Sequence, residues 1–164
     1  MGIDMSGKEL SPSAKKVANS LAGLNIHCNV IELPDSTRTA PEAAQAVNCT
    51  VGQIVKSLIF KGKISGKAVL ILTSGSNRVN EGMIADILAE GIQRADPDFV
   101  REQTGFAIGG VPPVGFPNSI ITLVDQDLFK YELVWAAAGT PHAVFSIHPE
   151  DLVKAAAGRV IQIC

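Results

Sequence analysis

Long hydrophobic runs are missing. The longest apolar stretches, in QIVKSLIF and AVLIL, fall far short of the roughly 20 residues a membrane helix needs, which excludes a helical span. Cysteine is scarce as well: Cys28, Cys49 and Cys164 are odd in number and form no CxxC pair, which excludes both a disulfide framework and a zinc site. They read as reduced thiols, with Cys28 alternating into a strand pattern as core filler. A basic excess is absent too, since the net charge is −2, so the chain cannot coat nucleic acid through a broad basic face. The stretch MGIDMSGKELSPSAKK carries no apolar segment ahead of a small-residue cleavage site, and the expected location is the cytoplasm. No GxSxG elbow, HExxH, Walker loop or GxGxxG occurs, and no serine, histidine and acid stand out as a triad. An enzyme of this sequence would work by positioning and main-chain electrostatics, with the substrate supplying a functional group. Neither a metal nor a cofactor is expected.

What is present suffices for a folded core. With 46% hydrophobic and 18% charged residues over 164 positions, the chain is expected to form one domain, 1–164, without repeats or linkers. Ser11-Pro12 opens an amphipathic helix with apolar Val17, Leu21 and Leu24. CNVIEL alternates as a strand; Thr39-Ala-Pro-Glu42 is a capping box that opens a helix through AAQAV, and Thr50-Val-Gly-Gln53 repeats the signal. IVKSLIFKG and AVLILTSG read as a hairpin turned by ISGK. Helices are predicted at 80–91, 96–105, 128–139 and 149–158, and strands at 119–125, 143–148 and 159–164. The mixture lacks the regular alternation of a doubly wound sheet, so the class is α+β.

Lys56 is the residue that demands an explanation. It sits inside a strand-like apolar run, and a period of two places it on one face with Leu58 and Phe60, opposite Val55, Ser57 and Ile59. A lone buried ammonium costs several kcal/mol or loses its proton, so it needs an anion. That anion is either an internal carboxylate or a ligand. Between Glu42 and Glu81 no acid occurs, while Lys56, Lys61, Lys63, Lys67 and Arg78 do, giving one positive segment able to hold a few phosphates. Further on, GFAIGGVPPVG packs Gly109, Gly110, Pro112, Pro113 and Gly115 into one loop whose main-chain shape is what is specified. A second glycine loop, Gly139-Thr-Pro-His142, precedes a strand. His142 is a site candidate against the more ordinary reading of an exposed residue; His148 reads as surface and His27 as a pocket edge at most.

The lysine strand, the run Thr104-Gly105-Phe106 leading into Gly109-Gly110-Val111-Pro112-Pro113-Val114-Gly115, STRTAPEAAQAV upstream, and Gly139 shortly before PEDL resemble the YbaK/EbsC family. These are free-standing relatives of the editing domain of bacterial prolyl-tRNA synthetase, and the likeness runs from about residue 10 to the end. It implies a mixed sheet curved toward a barrel with surrounding helices. It also implies a trans-editing deacylase that hydrolyses the ester between a wrong small amino acid and the 3′-terminal adenosine of a tRNA, typically tRNA for proline. On this resemblance Lys56 and the Gly110 main chain take part in the reaction, while Ser57, Gly109, Val111, Pro113, Gly139 and His142 bind substrate. Water, or the ribose 2′-hydroxyl, would attack.

Ser57 stands where the alanine-specific branch tends to carry asparagine, and Val144 or a neighbour stands where the cysteine-specific branch carries an acid. Which amino acid is removed is therefore open. The expected partners are the aminoacyl-tRNA acceptor end and a prolyl-tRNA synthetase, with no membrane. Duplex DNA is not expected, because the candidate helices are alanine-rich or acidic. The alternative is a non-catalytic module that docks an acceptor end or a synthetase.

Overall fold

In the computed structural model the described residues are 9–164; the segment 1–8, part of the stretch read for an export signal, lies outside them. Each of the first four α-helices begins where a side chain takes up a free amide. In α1 (Pro12–Gly23) Ser11 Oγ accepts from Ala14 N at 3.3 Å, and Ala14, Val17 and Leu21 recur on the buried face. Thr39 caps α2 (Ala40–Val47), Asn80 caps α3 (Glu81–Leu88), and Asp96 caps α4 (Pro97–Thr104). α5 spans Pro149–Ala156 and starts at His148 without a side-chain cap.

The strands are β1 (Val30–Glu32), β2 (Val55–Gly62), β3 (Ala68–Ser74), β4 (Ile92–Arg94), β5 (Ile121–Asp125), β6 (Val134–Ala137), β7 (Ala143–Ile147) and β8 (Arg159–Ile161). They form two sheets rather than one. A three-stranded sheet runs β1-β7-β6, and a five-stranded sheet runs β4-β2-β3-β5-β8, mixed because β5 lies parallel to both β3 and β8. Among the described residues a single isolated parallel bridge, Ile54 to Trp135, joins the two, and the sheet expected to curve toward a barrel is instead a pair of sheets that do not close into one.

β3 is buried along its whole length, as the unbroken AVLIL run requires of a central strand covered on both faces. The alternation predicted for β2 is observed. Val55 and Ile59 face the main core with Leu70, Val124, Phe145 and Leu152, while Leu58 and Phe60 face a second core with Ile71, Ile84 and Leu123. A third, smaller cluster of Ala40, Ala43, Ala44 and Ile54 fills the corner below α2.

One expectation is overturned. The stretch 128–139 is not helical: a short 3-10 turn covers Gln126–Lys130, and β6 follows. The alanines there favour helix, but Val134 and Ala136 alternate inward and pair with Ile147 and Phe145 of β7, so packing outweighs propensity. β4, only three residues long, carried no pattern strong enough to read. Truncating the fully buried Phe145 to alanine is expected to cost about 3–5 kcal/mol, measured as a lower midpoint in urea with little change in slope.

Candidate functional site

A cavity of about 370 Å³ opens between the two sheets. The start of β2 supplies Val55, Lys56, Ser57 and Leu58; β6 and β7 supply Trp135, Ala136, Ala137 and Val144; the segment 37–41 forms one rim and Ile108, Gly109 and Val111 another. Among the described residues no aspartate, glutamate, histidine or cysteine lines it. Among the described residues no three such side chains gather as metal ligands.

Lys56 is half-buried, and its Nζ donates to the Asn77 main-chain oxygen at 2.6 Å. Among the described residues no carboxylate forms an ion pair with it; the pairs present are Lys15 with Glu9 and Lys130 with Asp127. The anion sought for this ammonium is thus replaced by one carbonyl dipole. Of three donors on the ammonium, one is engaged there. Burial, followed by the Arg94 and Arg78 guanidinium groups, holds the amine below its ordinary 10.5, and Asp125 partly opposes that shift. Ser57, beside it on the cavity wall, keeps a buried Oγ with no hydrogen-bond partner. An unpaired buried hydroxyl costs about 1–3 kcal/mol, so a ligand able to bond it gains by doing so.

The glycine loops are built for close main-chain approach. Gly109 adopts φ +92°, and the Arg38 side chain lies across it where a Cβ would stand 2.9 Å from Cγ. Gly110 is buried against the second loop: its oxygen accepts from Gly139 N at 2.9 Å, and a Cβ on it would meet Thr140 Cα at 2.7 Å. That second loop then anchors the rim, because Pro141 O accepts from Thr37 Oγ1 at 2.7 Å and His142 O accepts from Leu33 N at 2.7 Å.

The structure therefore brings Lys56, Ser57, Gly109 and Val111 together around one cavity. Gly110 and Gly139 stand behind that wall. His142 contributes its main chain and leaves an exposed side chain outside, while Pro113 lines a different hollow with Ser20, Gly115 and Phe116. His148 is exposed and its Nδ1 meets Glu132 O at 2.9 Å; His27 is exposed as well.

The model of the aminoacyl-tRNA editing domain matches residues 34–155. This chain belongs to the aminoacyl-tRNA editing domain family. The editing domain superposes on the crystal structure of a candidate trans-editing enzyme for prolyl-tRNA synthetase with a TM-score of 0.89 and 48% identity, covering 94% of this chain and 98% of that one. It is 27% identical over 153 residues to the Bacillus subtilis (strain 168) protein YwhH, covering 93% of this chain and 97% of YwhH. It is 37% identical over 97 residues to the proline–tRNA ligase of Thermosipho melanesiensis, a match that takes in 58% of this chain and only 16% of the ligase.

Several groups around this cavity escaped the sequence. Arg38 and Trp135 reach the cavity from elements far apart in the chain, and Asn77 meets Lys56 through its main chain, which leaves no side-chain signature. The thiols take no part in the cavity. Burial, with help from the Asp151 charge, pushes Cys28 up from 9.0 to about 11, so it keeps its proton where a free thiol ionises.

Because that folded value is raised, the stability this group contributes is complete below about 9 and is lost as pH climbs toward about 11. Alkylation at pH 8, followed by peptide mass analysis, should modify exposed Cys164 well before Cys28. Gly110→Ala should lower stability by about 1–3 kcal/mol in urea unfolding, as overpacking against fixed backbone does. Gly23→Ala, whose added carbon meets nothing within 4 Å, is the control and should not destabilise.

Proposed function

We propose that this editing domain is a free-standing deacylase that removes a small wrong amino acid from tRNA for proline. The observation that carries the reading is the Lys56 ammonium, half out of water at the wall of a small, largely apolar cavity to which the described residues bring no acid, histidine or cysteine. The likeness to the candidate trans-editing enzyme and to part of a proline–tRNA ligase supports the choice of tRNA.

In this reading the aminoacyl group enters the cavity, with Val55, Leu58, Val111 and Val144 around its side chain and the terminal adenosine toward the rim. Water attacks the ester carbonyl carbon and a tetrahedral oxyanion forms. The bond from that carbon to the ribose oxygen then breaks, the ribose oxygen takes up a proton, and free amino acid and tRNA leave. Lys56 favours the oxyanion by charge, in the manner of a preorganised donor. With no general base on the cavity wall, the neighbouring ribose hydroxyl is the group placed to hand the proton on. Gly109, Gly110, Val111 and Gly139 shape and brace the wall, Ser57 offers its unpaired hydroxyl to the substrate, and His142 stands outside as a contact for the longer RNA, while Pro113 lies away from the cavity and takes no part. The 164 residues act as one editing unit, working in the cytoplasm with or beside a prolyl-tRNA synthetase.

Purified protein incubated with tRNA for proline charged with alanine, cysteine, serine or threonine should release at least one of them. One methylene in such a cavity discriminates by only about 1–3 kcal/mol, so a ranking of roughly 10- to 200-fold steps is expected rather than an absolute choice. Lys56→Ala should lower kcat by about 10²–10³ while the protein stays folded. Saturable tRNA binding without release of any of the four would favour a docking module and reject the deacylase.

A further inference from the structure

Asn77, whose carbonyl receives the Lys56 ammonium, is itself held by a buried carboxylate. Asp125, at the end of β5, is 1% exposed yet has no cation among its hydrogen-bond partners. Its Oδ2 accepts from Ser74 N at 3.0 Å and from Asn77 Nδ2 at 2.9 Å, and its Oδ1 accepts from Asp127 N at 2.9 Å. Asn77 Nδ2 also donates to Asp127 Oδ2 at 2.8 Å, so two carboxylates hold the one amide with both of its protons. Asn77 N closes the turn on Ser74 O at 2.9 Å. Every donor of Asn77 is thereby fixed, and its main-chain oxygen is left to face Lys56. A buried carboxylate satisfied only by amides is costly to keep unless its placement matters.

We propose that Asp125 and Asn77 are the positioning residues of this site, with Asp125 fixing the Asn77 turn so that the Asn77 carbonyl holds the Lys56 ammonium at the cavity wall. The inference deepens the deacylase reading and rests on it for the role of Lys56. Asp127 contributes the second anchor on the amide and is in turn paired with Lys130 at 3.2 Å. The charged groups around Lys56 come from three separate elements: Arg94 from β4, Arg78 from the turn after β3, and Asp125 from β5. The two guanidinium groups disfavour the ammonium and the carboxylate favours it, so their removal should shift its titration in opposite directions.

Two variants test this, each with a check of folding by thermal melting. Asn77→Ala changes a half-exposed turn residue and should lower kcat at least about tenfold while KM stays within about twofold, because the substrate pocket itself is untouched. Asp125→Asn removes the carboxylate. In protein labelled with 13C-lysine, with the Lys56 signal assigned by Lys56→Arg, Asp125→Asn should move the Lys56 titration to lower pH and Arg78→Gln should move it to higher pH. Wild-type kcat in folded Asn77→Ala would overturn the proposal, as would an unmoved Lys56 titration in Asp125→Asn. The titration needs no substrate, so it tests the Asp125 link even if the wild-type protein cleaves no charged tRNA and the deacylase reading falls.

Discussion

An ammonium held half out of water by one main-chain carbonyl is the constraint on which the rest of the structure turns. Partial burial disfavours the charge of a lysine, and a carboxylate beside it is the usual compensation. Here Lys56 meets the Asn77 oxygen instead, with two guanidinium groups disfavouring its charge and one carboxylate supporting it. A direct ion pair would have quenched the positive charge that the proposed deacylation draws on. A dipole holds the amine in place and leaves most of its charge available.

That arrangement needs rigid surroundings, and the glycine loops provide them through backbone contact. Gly110 lets its loop meet Thr140 at a distance that no side chain would allow, Gly139 does the same against Ser13 of α1, and the second loop carries the contact on to the rim at Leu33 and Thr37. The cavity wall is therefore a chain of main-chain hydrogen bonds, running from the loop at 109–111 through 139–142 to 33–37. In the proposed deacylase reading such bracing matters, because small side chains would be told apart by contacts worth only a few kcal/mol.

The two cores on either side of the β2–β3 hairpin complete the frame. Val55 and Ile59 are anchored in one and Leu58 and Phe60 in the other, so the strand that carries Lys56 is clamped from both faces. Ser57, the next residue of β2 and also on the cavity wall, keeps its hydroxyl buried and unpaired.

Much of this was legible in the order of residues. Local rules govern helix caps at Ser11, Thr39 and Asp96, the period of two along β2, and the glycines whose backbone angles no other residue adopts readily; these act over a few positions and leave a mark there. Lys56 betrayed itself because a charge among β-branched neighbours conflicts with its own context, and the family motif around it could be read for the same reason.

What the tertiary structure decided is everything that depends on distant segments meeting. The alanine-rich stretch at 134–137 became a strand because β7 lay ready to pair with it. Asp125 and Asn77, far apart in the chain, became one hydrogen-bonded unit, and Pro113 and the His142 side chain came to lie away from the cavity. Hydrogen bonds and packing between remote residues carry no periodicity along the chain, so only the folded arrangement could reveal them.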